Sequence, residues 1–103
     1  MMYPQAGEYR IIRVDGTEEI VLGKATIPVI QAAIGCDCLD VVCLSFDQRT
    51  RLPEAVMLVD DTGMIDGKPI NPKATALYHA ICRPGTTGSI HGDVVVASDR
   101  DFP

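Results

Sequence analysis

The chain contains no tryptophan and only five aromatic residues among 103, three Tyr and two Phe. Platforms for stacking nucleic-acid bases are therefore poorly supplied. Basic runs are missing too. The nine Lys and Arg are scattered, only Arg49 and Arg51 come close together, and the formal charge is −5. A nucleic-acid binder needs a Lys/Arg-rich face, so nucleic acid is not an expected partner. No apolar run approaches the roughly 20 residues that a bilayer demands. The opening MMYPQAGEYR lacks the basic start and apolar core of a secretory signal. A cytoplasmic protein without membrane contact is the expectation.

Signatures of catalysis are also lacking. Ser45, Ser89 and Ser98 have no nucleophile-elbow context. GTTGS lacks the Gly-Lys-Ser/Thr of a phosphate loop and no helix follows it. His79 and His91 have no adjacent nucleophile motif or fixed carboxylate partner. No enzyme activity and no cofactor are expected.

What is present is a globular composition, 47% apolar and 22% charged, of a size suited to one core. Residues 1–103 read as one domain, with 1–7 as a disordered tail. EYRIIRVDGTEEIVL predicts a hairpin with Asp15-Gly16 as a two-residue turn. That turn pairs Ile11 with Ile20, Tyr9 with Leu22 and Arg13 with Glu18, so Tyr9, Ile11, Ile20 and Leu22 would share one apolar face.

ATIPVIQAAIG predicts a helix capped by Thr26, with Pro28 in its first turn and Gly35 at its stop. Ile27, Ile30 and Ile34 form its stripe. CLDVVCL and AVMLVDD read as strands separated by the long DQRTRLPE loop. INPKATALYHAICRPG reads as a second helix, capped by Asn71, started by Pro72 and closed by Pro84-Gly85. Ala74, Leu77, Tyr78 and Ile81 would be its buried stripe. GDVVVAS is a last strand. The expected fold is α+β, order β-β-α-β-β-α-β, a mainly antiparallel sheet with both helices on one face.

Three of the four cysteines fall in GCDCLDVVC. In a strand, Cys36 and Cys38 would share a face and Cys43 would point away, which denies one metal all three. Cys36 and Cys38 with His79 and Cys82 could form a zinc set. The single residue between the first pair is short for structural zinc, and Cys-x-x-Cys is missing. The expectation is core packing without metal. Asp60, Asp61 and Asp66 read as turn formers rather than a cation site.

IGCD, LDVV, VDDTGMIDGKPINPKATALY and IHGDVVVASD, in that order, resemble the family known as domain of unknown function 3846. The resemblance spans roughly residues 8–98 and implies cytoplasmic proteins of bacteria, phages and mobile elements with no assigned activity. It implies no catalytic residues. The polar positions to test for a shared ligand site are Asn71, Thr75 and Asp93, and His79 and His91 join them as candidates on their own chemistry. The long loop around residues 45–55 departs from the commoner family pattern.

The leading functional expectation is an accessory protein that binds a partner protein, such as a host protein. The alternative is a small anionic ligand, such as a nucleotide-like signal, held at the N-terminus of the Asn71 helix. A homodimer is also expected, because DVVVAS and AVMLVD have apolar runs that demand cover on both faces. The rival is a monomer in which the loop around Phe46 and Leu52 covers that face.

Overall fold

The computed structural model describes residues 7–36, 39–46, 49, 53–63, 65–82 and 88–98. Its elements are β1 (Glu8–Ile12), β2 (Glu18–Leu22), α1 (Ile27–Ile34), β3 (Leu39–Phe46), β4 (Pro53–Asp60), α2 (Pro72–Ile81) and β5 (Val94–Ser98). The fold is α+β, in the expected element order. One sheet runs β2-β1-β5-β4-β3, and every neighbouring pair is antiparallel.

The hairpin exists, but its register differs by one residue from the predicted one. Ile12 pairs with Glu18, Arg10 with Ile20 and Tyr9 with Val21. The loop holds three residues rather than two, because Arg13 N–H bonds Thr17 O at 2.9 Å and Gly16 N–H bonds Arg13 O at 3.0 Å. Gly16 sits at φ 91, a conformation that glycine reaches without strain. Asp15 holds the loop by accepting from the Thr17 N–H at 2.9 Å and hydroxyl at 2.6 Å. Those two bonds lower the Asp15 carboxyl below its usual range.

One extra loop residue turns each β2 side chain to the opposite face. Val21 therefore joins Tyr9 and Ile11 in the core, while Ile20 is 61% exposed and Leu22 82%. The predicted Arg13–Glu18 pair is replaced by Arg10–Glu18 at 3.4 Å, and Arg13 turns to Asp93 at 2.9 Å.

The two helices do not share a face; this corrects the expectation. Ile30 and Ile34 of α1 pack with Tyr9, Ile11, Val56, Leu58, Val95 and Ala97. Ala74, Leu77 and Tyr78 of α2 pack with Ile12, Met57, Val59, Val94 and Val96. Alternate residues of β4 and β5 thus enter different clusters, one on each side of the sheet. All five residues of β5 are buried. The expected two-sided cover comes from one helix per face, so the central strands need no second copy.

Helix α1 stops as predicted, with Gly35 at φ 64 and its N–H on Gln31 O at 2.8 Å. Thr26 occupies the N-cap without a side-chain cap bond. Ile27 is 44% exposed, so the buried stripe is Ile30 and Ile34 alone. Likewise Ile81, at 42%, leaves the stripe of α2. β3 begins at Leu39, beyond Cys36, and continues to Phe46, while β4 begins at Pro53. The predicted loop between them is correspondingly shorter. Leu52, Pro84, Gly85 and residues 1–6 of the expected tail lie outside the described residues. Gly7 accepts from the Gly23 N–H at 2.8 Å, at the head of the first hairpin.

Candidate functional site

Among the described residues, two regions carry polar chemistry. The first is a junction where the ends of β1 and β4, the start of β5 and the first turn of α2 converge. Asn71 is its centre and is fully buried. Its side-chain oxygen caps α2 by accepting from Ala74 N–H at 3.1 Å. Its amide donates to Ile12 O at 2.9 Å and to Gly92 O at 3.0 Å. One side chain thereby ties the helix to β1 and to the entry of β5.

Thr75, one turn on, accepts from the Ile90 N–H at 3.0 Å. Asp93 accepts from Val14 N–H and from the Arg13 guanidinium, both at 2.9 Å. His91 Nδ1 lies 2.8 Å from Lys68 O, and its Nε2 lies 2.8 Å from Ser89 Oγ. A carbonyl only accepts, so Nδ1 carries the proton and Nε2 of the neutral ring accepts the Ser89 hydroxyl. Asn71, Thr75, His91 and Asp93 are thus assembled around residues 89–93. His79 stands apart, with Nε2 on Gly88 O.

Lys68 was not among the sequence candidates, yet it knots this end of the molecule together. Its ammonium bonds the Asp60 carboxylate and the carbonyls of Gly35, at 2.9 Å, and Ile34, at 3.4 Å. A cation at the C-terminal carbonyls of α1 also meets the negative end of the helix dipole. Asp60 additionally accepts from the Thr62 N–H and hydroxyl. Burial alone pushes the Asp60 carboxyl up, but the bonds from Lys68 and Thr62 outweigh it and hold it below its ordinary range. The Asp60 bond raises Lys68 in turn, against the opposing effect of burial. Asp60 was expected to be a turn former, and it does bond the turn at Thr62. The same Thr62 hydroxyl lies 3.0 Å from Asp66 Oδ2, so its one proton is shared between the two carboxylates.

The Ser89–His91–Lys68 line has the order of a hydroxyl, a base and an orienting acceptor. Among the described residues, the nearby backbone donors are already engaged. The N–H after Ser89, on Ile90, is already given to Thr75 and is not available to an oxyanion. Asn71 N–H is likewise given to Ile90 O and Gly92 N–H to Pro69 O. The junction uses its donors to hold itself together.

The three described cysteines are dispersed. Cys36 packs beside the α1 cluster, and Cys36, Cys43 and Cys82 are half-buried and outside any disulfide. A bond with Cys82 raises the Tyr78 hydroxyl above its ordinary range. Cys38, one proposed zinc ligand, lies outside the described residues. Among the described residues, no three His, Cys, Asp or Glu side chains cluster to hold a metal. Among the same residues, no helix is long and apolar enough to cross a membrane.

The second region is a groove of about 350 Å³ between α2 and the first hairpin, lined by Arg10, Ile12, Glu18, Lys73, Ala76 and Leu77. Ile12, Ala76 and Leu77 supply apolar walls. Glu18 holds both cations, Lys73 at 2.8 Å and Arg10 at 3.4 Å. The Lys73 bond, opposed by burial and helped by Arg10, lowers the Glu18 carboxyl. Ile20 and Leu22 share the Glu18 face of β2, so the groove opens beside two exposed aliphatic side chains. Sequence reasoning missed this groove because the predicted register put Ile20 and Leu22 in the core.

The segments whose order suggested a family meet at the junction. Gly35 and Asp60 share Lys68, Asn71 bonds Gly92, and Gly63 abuts His91. Comparison with family profiles matches residues 6–102 to the domain of unknown function DUF3846. The chain belongs to the DUF3846 family. Neither the curated proteins nor the solved structures compared with it give a match.

Proposed function

We propose that this DUF3846 protein is a non-catalytic accessory protein, of the phage or mobile-element type, that acts by binding a partner protein. Its contact surface in this reading is the outer edge of β2 with the adjoining groove under α2. The supporting observation is the exposure of Ile20 and Leu22, 61% and 82%, on an edge strand beside an apolar-walled groove. Exposed aliphatic side chains next to open backbone groups suit strand addition, in which hydrogen bonds give affinity and side-chain pockets give selectivity. The formal charge of −5 suits a partner with a basic face.

The test compares capture by the wild-type chain with capture by an Ile20→Glu, Leu22→Glu variant from a bacterial lysate. A protein retained by the wild type alone is then purified and titrated by calorimetry. The variant should bind at least about tenfold more weakly, because hot-spot side chains cost more than 1 kcal/mol when removed. Equal binding by both would sink the reading.

A second reading, a small anionic ligand, draws on the groove volume and on Arg10 and Lys73 within it. Glu18 already pairs with both cations, so an anion would have to displace it, and this reading ranks second. The N-terminus of α2 supports it less, since Asn71 plugs that end. A thermal shift of several degrees with a nucleotide, abolished by Arg10→Ala, would promote it.

A further inference from the structure

We infer that the outer edge of β2 pairs with the same edge of a second copy of this chain, antiparallel, about a two-fold axis beside Ile20. This rests on the reading of that edge as a docking surface and names one occupant for it.

Backbone geometry decides which groups face outward. Arg13 N–H bonds Thr17 O and Gly23 N–H bonds Gly7 O, at the two ends of the β1–β2 ladder. Thr17, Glu19, Val21 and Gly23 therefore turn their backbone groups toward β1, and Glu18, Ile20 and Leu22 turn theirs outward. A second copy satisfies them only where an outward residue lies opposite another. With Ile20 opposite Ile20, Glu18 falls opposite Leu22, and all three residues of each copy form bonded pairs. A shift of two residues either way leaves one of the three opposite a position beyond the strand, which spans Glu18–Leu22.

The side chains agree with that register. Glu18, Ile20 and Leu22 all lie on the α2 face. Ile20 meets Ile20 of the second copy, and each Leu22 lies across from Glu18 and diagonal to Ile20. The two most exposed aliphatics of the hairpin are then covered, and no like charges stand opposite each other. Glu18 is already neutralised by Lys73 and Arg10.

Among the described residues, the opposite edge of the sheet is blocked where this one is open. β3 carries register irregularities between Cys43 and Ser45 and between Ser45 and Phe46. Its Val41 N–H is taken by the Asp40 side chain at 2.9 Å. Bulges and local capping of this kind prevent edge pairing. β2 has a continuous register, no proline and no bulge.

Sedimentation velocity of the full chain over a micromolar concentration series tests the pairing. The mass should rise from 11.1 kDa toward twice that value. Leu22→Glu puts a carboxylate opposite Glu18 in two symmetric places and should weaken the dimer roughly tenfold. Leu22→Lys puts an ammonium there and should keep or tighten it. Leu22 is 82% exposed, so circular dichroism should show both variants folded. A constant mass of 11.1 kDa up to high micromolar concentration overturns the inference. So does a dimer indifferent to Leu22→Glu, or one that Leu22→Lys weakens as much. A monomeric chain that still captures a partner through Ile20 and Leu22 would remove the dimer and leave the proposed function standing.

Discussion

Lys68 is bonded to the Asp60 carboxylate while reaching the last carbonyls of α1, so one side chain joins β4 to a helix whose last residue, Ile34, lies 34 positions before Lys68. The Asp60 side chain is only 2% exposed. Removing its cation leaves a buried carboxylate held by Thr62 alone. Lys68→Ala should therefore cost about 3 kcal/mol by urea denaturation, and Asp60→Asn in that background should recover part of it.

The same pair sets a pH dependence. The Asp60 carboxyl is depressed in the folded chain, so its contribution is complete above its ordinary value of 3.8 and is lost as pH falls through the lower folded value. Lys68 is raised above 10.5, so its contribution is complete below that value and is lost only at still higher pH. The melting temperature should fall as the solution is acidified below 3.8, and Asp60→Asn should flatten that slope.

Asn71 acts in three places at once. Read as a helix cap alone, Asn71→Ala would cost about 1 kcal/mol. In the fold it also removes a donor from each of the buried carbonyls of Ile12 and Gly92. The expected cost is then about 3 kcal/mol in urea denaturation. Asn71→Asp keeps the cap but faces those carbonyls with carboxylate oxygens, so it should be no milder than Ala. At an exposed cap the two residues would be nearly equivalent.

Gly63 and Gly16 should respond to alanine for different reasons. A Cβ on Gly63 would lie 2.7 Å from the backbone oxygen of His91, a neighbour that cannot rotate away. At Gly16 nothing stands within 4 Å, and only the positive φ resists. Thermal denaturation should show Gly63→Ala costing about 2 kcal/mol or more, and Gly16→Ala about 1.

The two histidines should hold opposite tautomers. Lys68 O requires the proton of His91 on Nδ1, and Gly88 O requires that of His79 on Nε2. Long-range proton–nitrogen correlation spectra of the neutral rings check this directly. A shared tautomer would show that one of these carbonyl bonds does not persist in solution.

Local chemistry made the elements legible. Asp15-Gly16, Pro28, Gly35 and the Asn71-Pro72 pair act within a few residues, so the hairpin, both helices and the succession of elements along the chain could be read from the sequence. Asn71 was recognised as a cap on the same grounds, and Thr75, His91 and Asp93 do meet it around residues 89–93. Their roles there were not legible, because the backbone groups they bond belong to distant segments. Ile12 lies 59 residues from the Asn71 that bonds it.

What the sequence determined by itself was therefore the set and order of elements, since caps, turns and apolar periodicity are short-range. Only the tertiary structure decided the faces. The Thr17 backbone chose a three-residue loop and exposed Ile20 and Leu22. The strand order placed β5 at the centre with α1 on one side and α2 on the other. Those outcomes depend on backbone pairing between segments far apart in the chain, and a one-residue change in such pairing moves a side chain from the core to solvent.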